Sequence, residues 1–168
     1  AYDGPMANHG TFPTRLVVLT GGPGAGKTAV LEVIRRNFGE QVKVLPEAAS
    51  ILFKGGFPRG DDALHRRCAQ VAIFHLQRQL ERLALEAPDG GLALCDRGTL
   101  DGLAYWPDGP EAFWRELGTT WEVERDRYHA VIHLRTPKAG EGYDHSNPVR
   151  LEDAPEAARI DEAIHRAW

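Results

Sequence analysis

The stretch Gly21-Gly22-Pro23-Gly24-Ala25-Gly26-Lys27-Thr28 decides the fold. It satisfies the pattern G-x-x-x-x-G-K-[ST] at every fixed position. Before it runs the apolar Leu16-Val17-Val18-Leu19, and after it Ala29 to Arg36 carries apolar residues at helical spacing. Strand, glycine loop and helix, in that order, form the setting in which this motif holds phosphate. Glycines let the backbone turn sharply and approach an anion closely, so that successive N–H groups converge on it. The helix that follows adds the partial positive charge of its N-terminus. Gly22, Pro23, Gly24, Ala25, Gly26, Lys27, Thr28 and Ala29 are therefore the expected nucleotide cradle. Lys27 would reach the β- and γ-phosphates of ATP, and the Thr28 hydroxyl would ligate Mg²⁺. A simple strand-to-helix turn would account for the glycines but not for Lys-Thr at the fixed offset.

Working outward, strands and helices alternate. Leu16–Leu19 reads as the first strand and residues 27–37 as the first helix, with Gly39 as its stop. A short strand over 42–45 leads to Pro46-Glu47 and to one or two helical turns over 48–53. Gly55, Gly56, Pro58 and Gly60 mark a loop. Asp61 and Asp62 are N-caps for a long helix to about Leu85, whose apolar face is expected to be Ala69, Ala72, Ile73, Leu76, Leu80 and Leu83. Leu92-Ala93-Leu94-Cys95 is apolar throughout, as in a parallel sheet covered on both faces. Residues 111–117 and 120–128 look helical, 130–134 is a strand, and a final helix runs from Asp153 to Trp168. The alternation predicts an α/β fold, a P-loop three-layer sandwich around a mainly parallel sheet.

With 168 residues and a net charge of −4, the chain fits one domain and has no global basic field to draw nucleic acid. No apolar run approaches the ~18 residues of a membrane helix. Cys68 and Cys95 are too far apart for metal-type spacing and read as buried, reduced thiols of a cytosolic protein. Residues 1–14 read as a flexible arm outside the fold, and residues 15–168 as the nucleotide-binding domain.

In parallel sheets ligands bind at the carboxyl ends of the strands. Three groups fall there besides the loop. Asp96 ends an apolar strand, as a Mg²⁺-holding acid does; its plainer role is an N-cap. Arg97 beside it would clamp an anionic oxygen or form a structural ion pair. Glu47 leaves the second strand, where a carboxylate would take a proton from an attacking hydroxyl or complement a helix dipole. Asp101, four residues past Arg97, reads first as its salt-bridge partner. Arg135 and Arg150 flank a long loop over 136–149, which reads as a lid. Tyr105, Trp106, Trp114 and Trp121 complete a core before they stack on a substrate.

Several stretches taken together resemble one family. They are Leu19 to Thr28, Pro46-Glu47-Ala48-Ala49, Cys95-Asp96-Arg97-Gly98 with Asp101 and Ala104-Tyr105, and Tyr143-Asp144-His145-Ser146-Asn147-Pro148-Val149-Arg150. The chain resembles the AAA-domain P-loop family that includes the nicotinamide-riboside-kinase half of the bacterial NAD regulator. More distantly it is similar to deoxynucleoside and thymidylate kinases. That likeness implies a kinase-like strand order, Glu47 as the acidic position, Asp96-Arg97 as the acid–Arg pair and Arg150 as a lid arginine. Such kinases carry a fifth strand after the lid helix; here the chain stops at Trp168, so it is either cut short or has four strands. The expected catalytic set is Lys27, Glu47, Asp96, Arg97 and Arg150, with Thr28 and Asp96 for the metal. The expected function is a kinase-like phosphotransferase using ATP and Mg²⁺ on a small-molecule acceptor. The alternative is an NTPase or nucleotide-dependent switch with a protein or lipid partner.

Overall fold

The computed structural model describes residues 13–39, 41–135 and 154–168. Four strands, β1 (Arg15–Thr20), β2 (Val42–Leu45), β3 (Leu92–Asp96) and β4 (Ala130–His133), form one sheet in the order β2-β3-β1-β4. Every pairing is parallel. Helices α1 (Lys27–Phe38), α2 (Ala48–Lys54), α3 (Ala63–Leu85), α4 (Pro110–Leu117), α5 (Trp121–Arg125) and α6 (Ala154–Ala167) connect and cover it.

The register places the site. Leu19 of β1 lies opposite Asp96 of β3, and Leu45 of β2 lies opposite Cys95. The glycine loop, Asp96-Arg97 and Glu47 therefore leave the sheet at the same edge. Alternation along β1 sends Val17 and Leu19 to one face, where Leu31 of α1 covers them together with Leu94. Leu16 and Val18 point to the other face with Ala93 and Cys95, and pack with Ala84, Leu100 and Tyr128. The result is the expected three-layer arrangement with the expected strand order.

Some expectations shift. The buried residues of α3 are Ala69, Phe74, Gln77, Glu81 and Ala84, whereas Leu83 is 73% exposed. Helical spacing located the helix, but its inward seam is partly polar because Gln77 and Glu81 find partners there. Residues 99–104 form a 3-10 segment that no periodicity announced, and α5 ends at Arg125. Cys95 is buried but Cys68 is exposed, which corrects the reading of two buried thiols; both are free. Among the described residues, no helix is long and apolar enough to cross a membrane.

Candidate active site

The phosphate loop forms as its glycines require. Gly26, the N-cap of α1, has φ +84°, a left-handed conformation that side chains rarely adopt. A Cβ there would meet nothing within 4 Å, so the backbone angle, and not crowding, demands glycine. No side chain caps α1, which leaves its first amides for an anion. Lys27 Nζ donates to the carbonyls of Gly21 (2.8 Å) and Gly22 (3.1 Å). Burial, with Arg97 nearby, lowers its pKa to about 8.

Across from the loop, Arg97 sits at φ +71°, the one positive φ outside glycine among the described residues. Such strain costs on the order of 1 kcal/mol and persists only where the surroundings enforce it. Here Arg97 N–H donates to Leu19 O at 3.0 Å, and Gln77 Nε2 donates to Arg97 O at 3.2 Å. Two residues on, Thr99 N–H donates to the Tyr128 hydroxyl at 2.9 Å. Gln77 and Tyr128 are both fixed by the wholly buried Glu81, at 2.8 and 2.7 Å. The turn aims the Arg97 guanidinium between two carboxylates. Nε meets Glu47 Oε1 at 2.8 Å, and Nη1 meets Asp101 Oδ2 at 3.2 Å.

Asp101 does more than pair with Arg97. It also accepts from Thr20 Oγ1 at 2.6 Å and from Trp168 Nε1 at 2.6 Å, tying β1 and the end of α6 to the site. Burial would raise the Glu47 carboxyl, but Arg97 and Ser50 overcome it and hold Glu47 below the ordinary carboxylate range. Asp96 moves the other way, pushed up to about 6 by burial and then by Glu47. Its Oδ1 is buried and takes no hydrogen bond. An orphaned, desolvated carboxylate oxygen at a strand end, within electrostatic reach of Lys27 in the loop, fits a divalent cation.

Beyond Glu47 and Arg97 opens a cavity of about 1000 Å³, with Pro23 and Gly24 at its lip. Phe53, Ile73, Phe74, Tyr105, Trp106 and Phe113 are among its walls, and the amides of Gln70 and Gln77 line it. That volume suits a drug-sized molecule. Trp106 and Phe113 are buried, and Trp114 and Trp121 pack against the core, as the sequence suggested; Tyr105 faces the cavity.

Lys27, Glu47 and the pair Asp96-Arg97, three segments remote in sequence, thus converge on one place. Arg150 and the 136–149 loop lie outside the described residues. Arg135 is bound to Asp161 (3.3 Å) and Glu162 (3.2 Å). Sequence reading missed Gln77, Glu81, Tyr128 and Asp161. The one signal available was a polar pair, Gln77 and Glu81, spaced i,i+4 on the helix.

A family model described as an AAA domain matches residues 16–168. In structure the chain is similar to the thymidylate kinase of Ehrlichia chaffeensis, with TM-score 0.54 and 13% identity over 92% of this chain and 86% of that one. It is likewise similar to the thymidylate kinase of Candida albicans, with TM-score 0.55 and 10% identity over 92% and 76%. These likenesses show the fold. No curated protein matches the sequence.

Proposed function

Since the chain belongs to this AAA-domain family of P-loop proteins and has a nucleotide-binding, kinase-like fold, we propose that it transfers the γ-phosphoryl group of ATP to a hydroxyl of a small molecule. One observation carries the reading. A cavity large enough for a second substrate opens beside the phosphate loop, with the ionised Glu47 at the junction. Hydrolysis or nucleotide sensing alone does not call for a second substrate-sized cleft beside the phosphates, whereas transfer to an acceptor does.

The triphosphate lies on Gly22–Ala29, and Lys27 turns from the Gly21 and Gly22 carbonyls to the β- and γ-oxygens. Thr28 and Asp96 would hold Mg²⁺, which when bound neutralises charge on the phosphates. The acceptor fills the aromatic cavity and presents its hydroxyl to Glu47. As the new O–P bond forms and the bond to ADP breaks, the hydroxyl proton passes to Glu47 and then to water. The low pKa of Glu47 makes it an aligning acceptor more than a strong base. That suits a loose transition state in which positioning and charge supply most of the rate. Arg97 keeps Glu47 ionised and in place; Arg150 would add a further positive charge toward the transferring group.

ADP release measured with a panel of nucleosides, sugars and other hydroxyl compounds tests this. Turnover is expected to rise at least tenfold with one acceptor class and to yield its phosphate ester. Full-rate turnover without any acceptor would overturn the proposal.

A further inference from the structure

Helix α6 buries a carboxylate that the site as described does not use. Asp161 is 3% exposed and lies on the same helix as the buried apolar Ala157, Ile160 and Ile164. An apolar residue would avoid the cost of desolvating a charge there. Its partners are specific. Oδ1 accepts from the backbone N–H of Gly22 at 2.9 Å and contacts His133 Nε2 at 2.8 Å, and Oδ2 pairs with Arg135.

The Gly22 N–H belongs to the same peptide group as the Gly21 carbonyl, and that carbonyl receives Lys27 Nζ. One peptide plane is thus held at its oxygen by a cation and at its nitrogen by an anion. The two bonds reinforce each other, because a polarised amide is both a better donor and a better acceptor. The plane is confined from a third side as well. A Cβ on Gly21 would lie 2.1 Å from the carbonyl oxygen of Leu134, the residue after β4, so the backbone leaving that strand presses directly on the start of the loop. Four of the eight residues from Gly21 to Thr28 are glycine, the residue with most conformational freedom to lose. Fixing the first peptide before any ligand arrives removes part of that loss from the binding step.

We propose that Asp161 is a positioning residue of the phosphate loop. It anchors the Gly21–Gly22 peptide from α6 and so sets the affinity of the loop for nucleotide. Lys27 is not trapped by this arrangement, since charged phosphate oxygens are stronger partners than the two carbonyls it leaves. The proposal rests on the loop being the phosphate site; the anchoring itself does not.

Asp161→Ala tests it, with Trp121→Phe as comparison. Trp121 Nε1 holds the other end of α6, the end that meets Asp101 rather than the phosphate loop, through the Ala167 carbonyl at 2.8 Å. Both variants are expected to lose thermal stability. Only Asp161→Ala is expected to weaken ATP·Mg²⁺ binding, by about tenfold or more in calorimetry well below its melting temperature. Only that variant is expected to speed hydrogen exchange of the Gly22 amide about tenfold in nucleotide-free protein. If Asp161→Ala does not fold, Asp161→Asn replaces it. It keeps an oxygen for Gly22 but lacks the charge, and about threefold effects are expected in both measurements. Unchanged or tighter nucleotide binding together with unchanged Gly22 exchange overturns the proposal. Failure of the wild type to bind ATP would refute the phosphate-loop reading, and the exchange measurement would still decide the anchor.

Discussion

The two walls of the cleft are built in opposite ways. The phosphate wall is one continuous stretch, Gly21–Thr28, whose working groups are mostly backbone amides at a helix start. The opposite wall is assembled from side chains on separate elements: Glu47 before α2, Gln77 on α3, and Arg97 and Asp101 after β3. A backbone site is specified by where the chain can turn, so a short motif suffices. A side-chain site is specified by which elements meet, so its parts are scattered and each must be held by others. Arg97 shows the consequence: its strained backbone is maintained by Gln77 and, through Thr99, by Tyr128, and both of these are fixed by the buried Glu81.

The contrast predicts separable defects, of which the largest should come from the phosphate wall. Lys27→Ala is expected to reduce ATP binding and turnover by ~100-fold or more, with the melting temperature kept or raised, since a desolvated ammonium is removed. Titration with nucleotide and a thermal melt check both halves. On the opposite wall, if Glu47 takes the proton as proposed, Glu47→Gln is expected to cut turnover ~10²- to 10³-fold while nucleotide affinity stays within about twofold of wild type. Equal losses in both quantities would mean that the walls are not independent.

A smaller effect follows from pH. Lys27 has a pKa of about 8 in the free protein, so its charge is complete below that value and fades above it. ATP affinity measured without metal is expected to keep the Lys27 contribution up to about pH 7.5, the changes nearer pH 6 belonging to Asp96 and the terminal phosphate. Above about 8 it should fall by up to about tenfold per pH unit, with protons taken up on binding near the midpoint. Affinity flat to pH 10 would show that Lys27 does not meet the phosphates.

The smallest expected effect is on stability. Asp96 has a folded pKa of about 6 against 3.8 for the free group, so the folded state binds the extra proton and ionised Asp96 burdens the fold above pH 6. Asp96→Asn is expected to raise the melting temperature by about 2–4 °C at pH 8. The gain should shrink as pH falls through 6 and vanish below about 4, where the carboxyl is neutral in both states. Metal-dependent turnover should be lost in the same variant.

The register of what was readable follows the same division. The periodic residues of α1, α3 and α6 and the apolar runs of β1 and β3 announced themselves, because burial of one stripe or of both faces leaves a pattern. The inner seam of α3 did not: Leu83 faces water while Glu81 is buried, since Arg127 and Tyr128 arrive from the other end of the domain to satisfy it. Asp101 could be paired with Arg97 from spacing alone, but not with Thr20 and Trp168, which are 81 and 67 residues away.

The sequence by itself determined the phosphate loop, the alternation of strand and helix, and the identity of the acids and the arginine at the strand ends. Each of these depends on neighbours within a few residues, on glycine conformation, helical period or position after an apolar run. Only the tertiary structure decided that Glu47 and Asp101 share Arg97, that a cavity opens beside them, and that Asp161 grips the loop. Those facts depend on strand order and on helix packing across the sheet, where the free energy of a contact is shared between residues that carry no trace of one another in the chain.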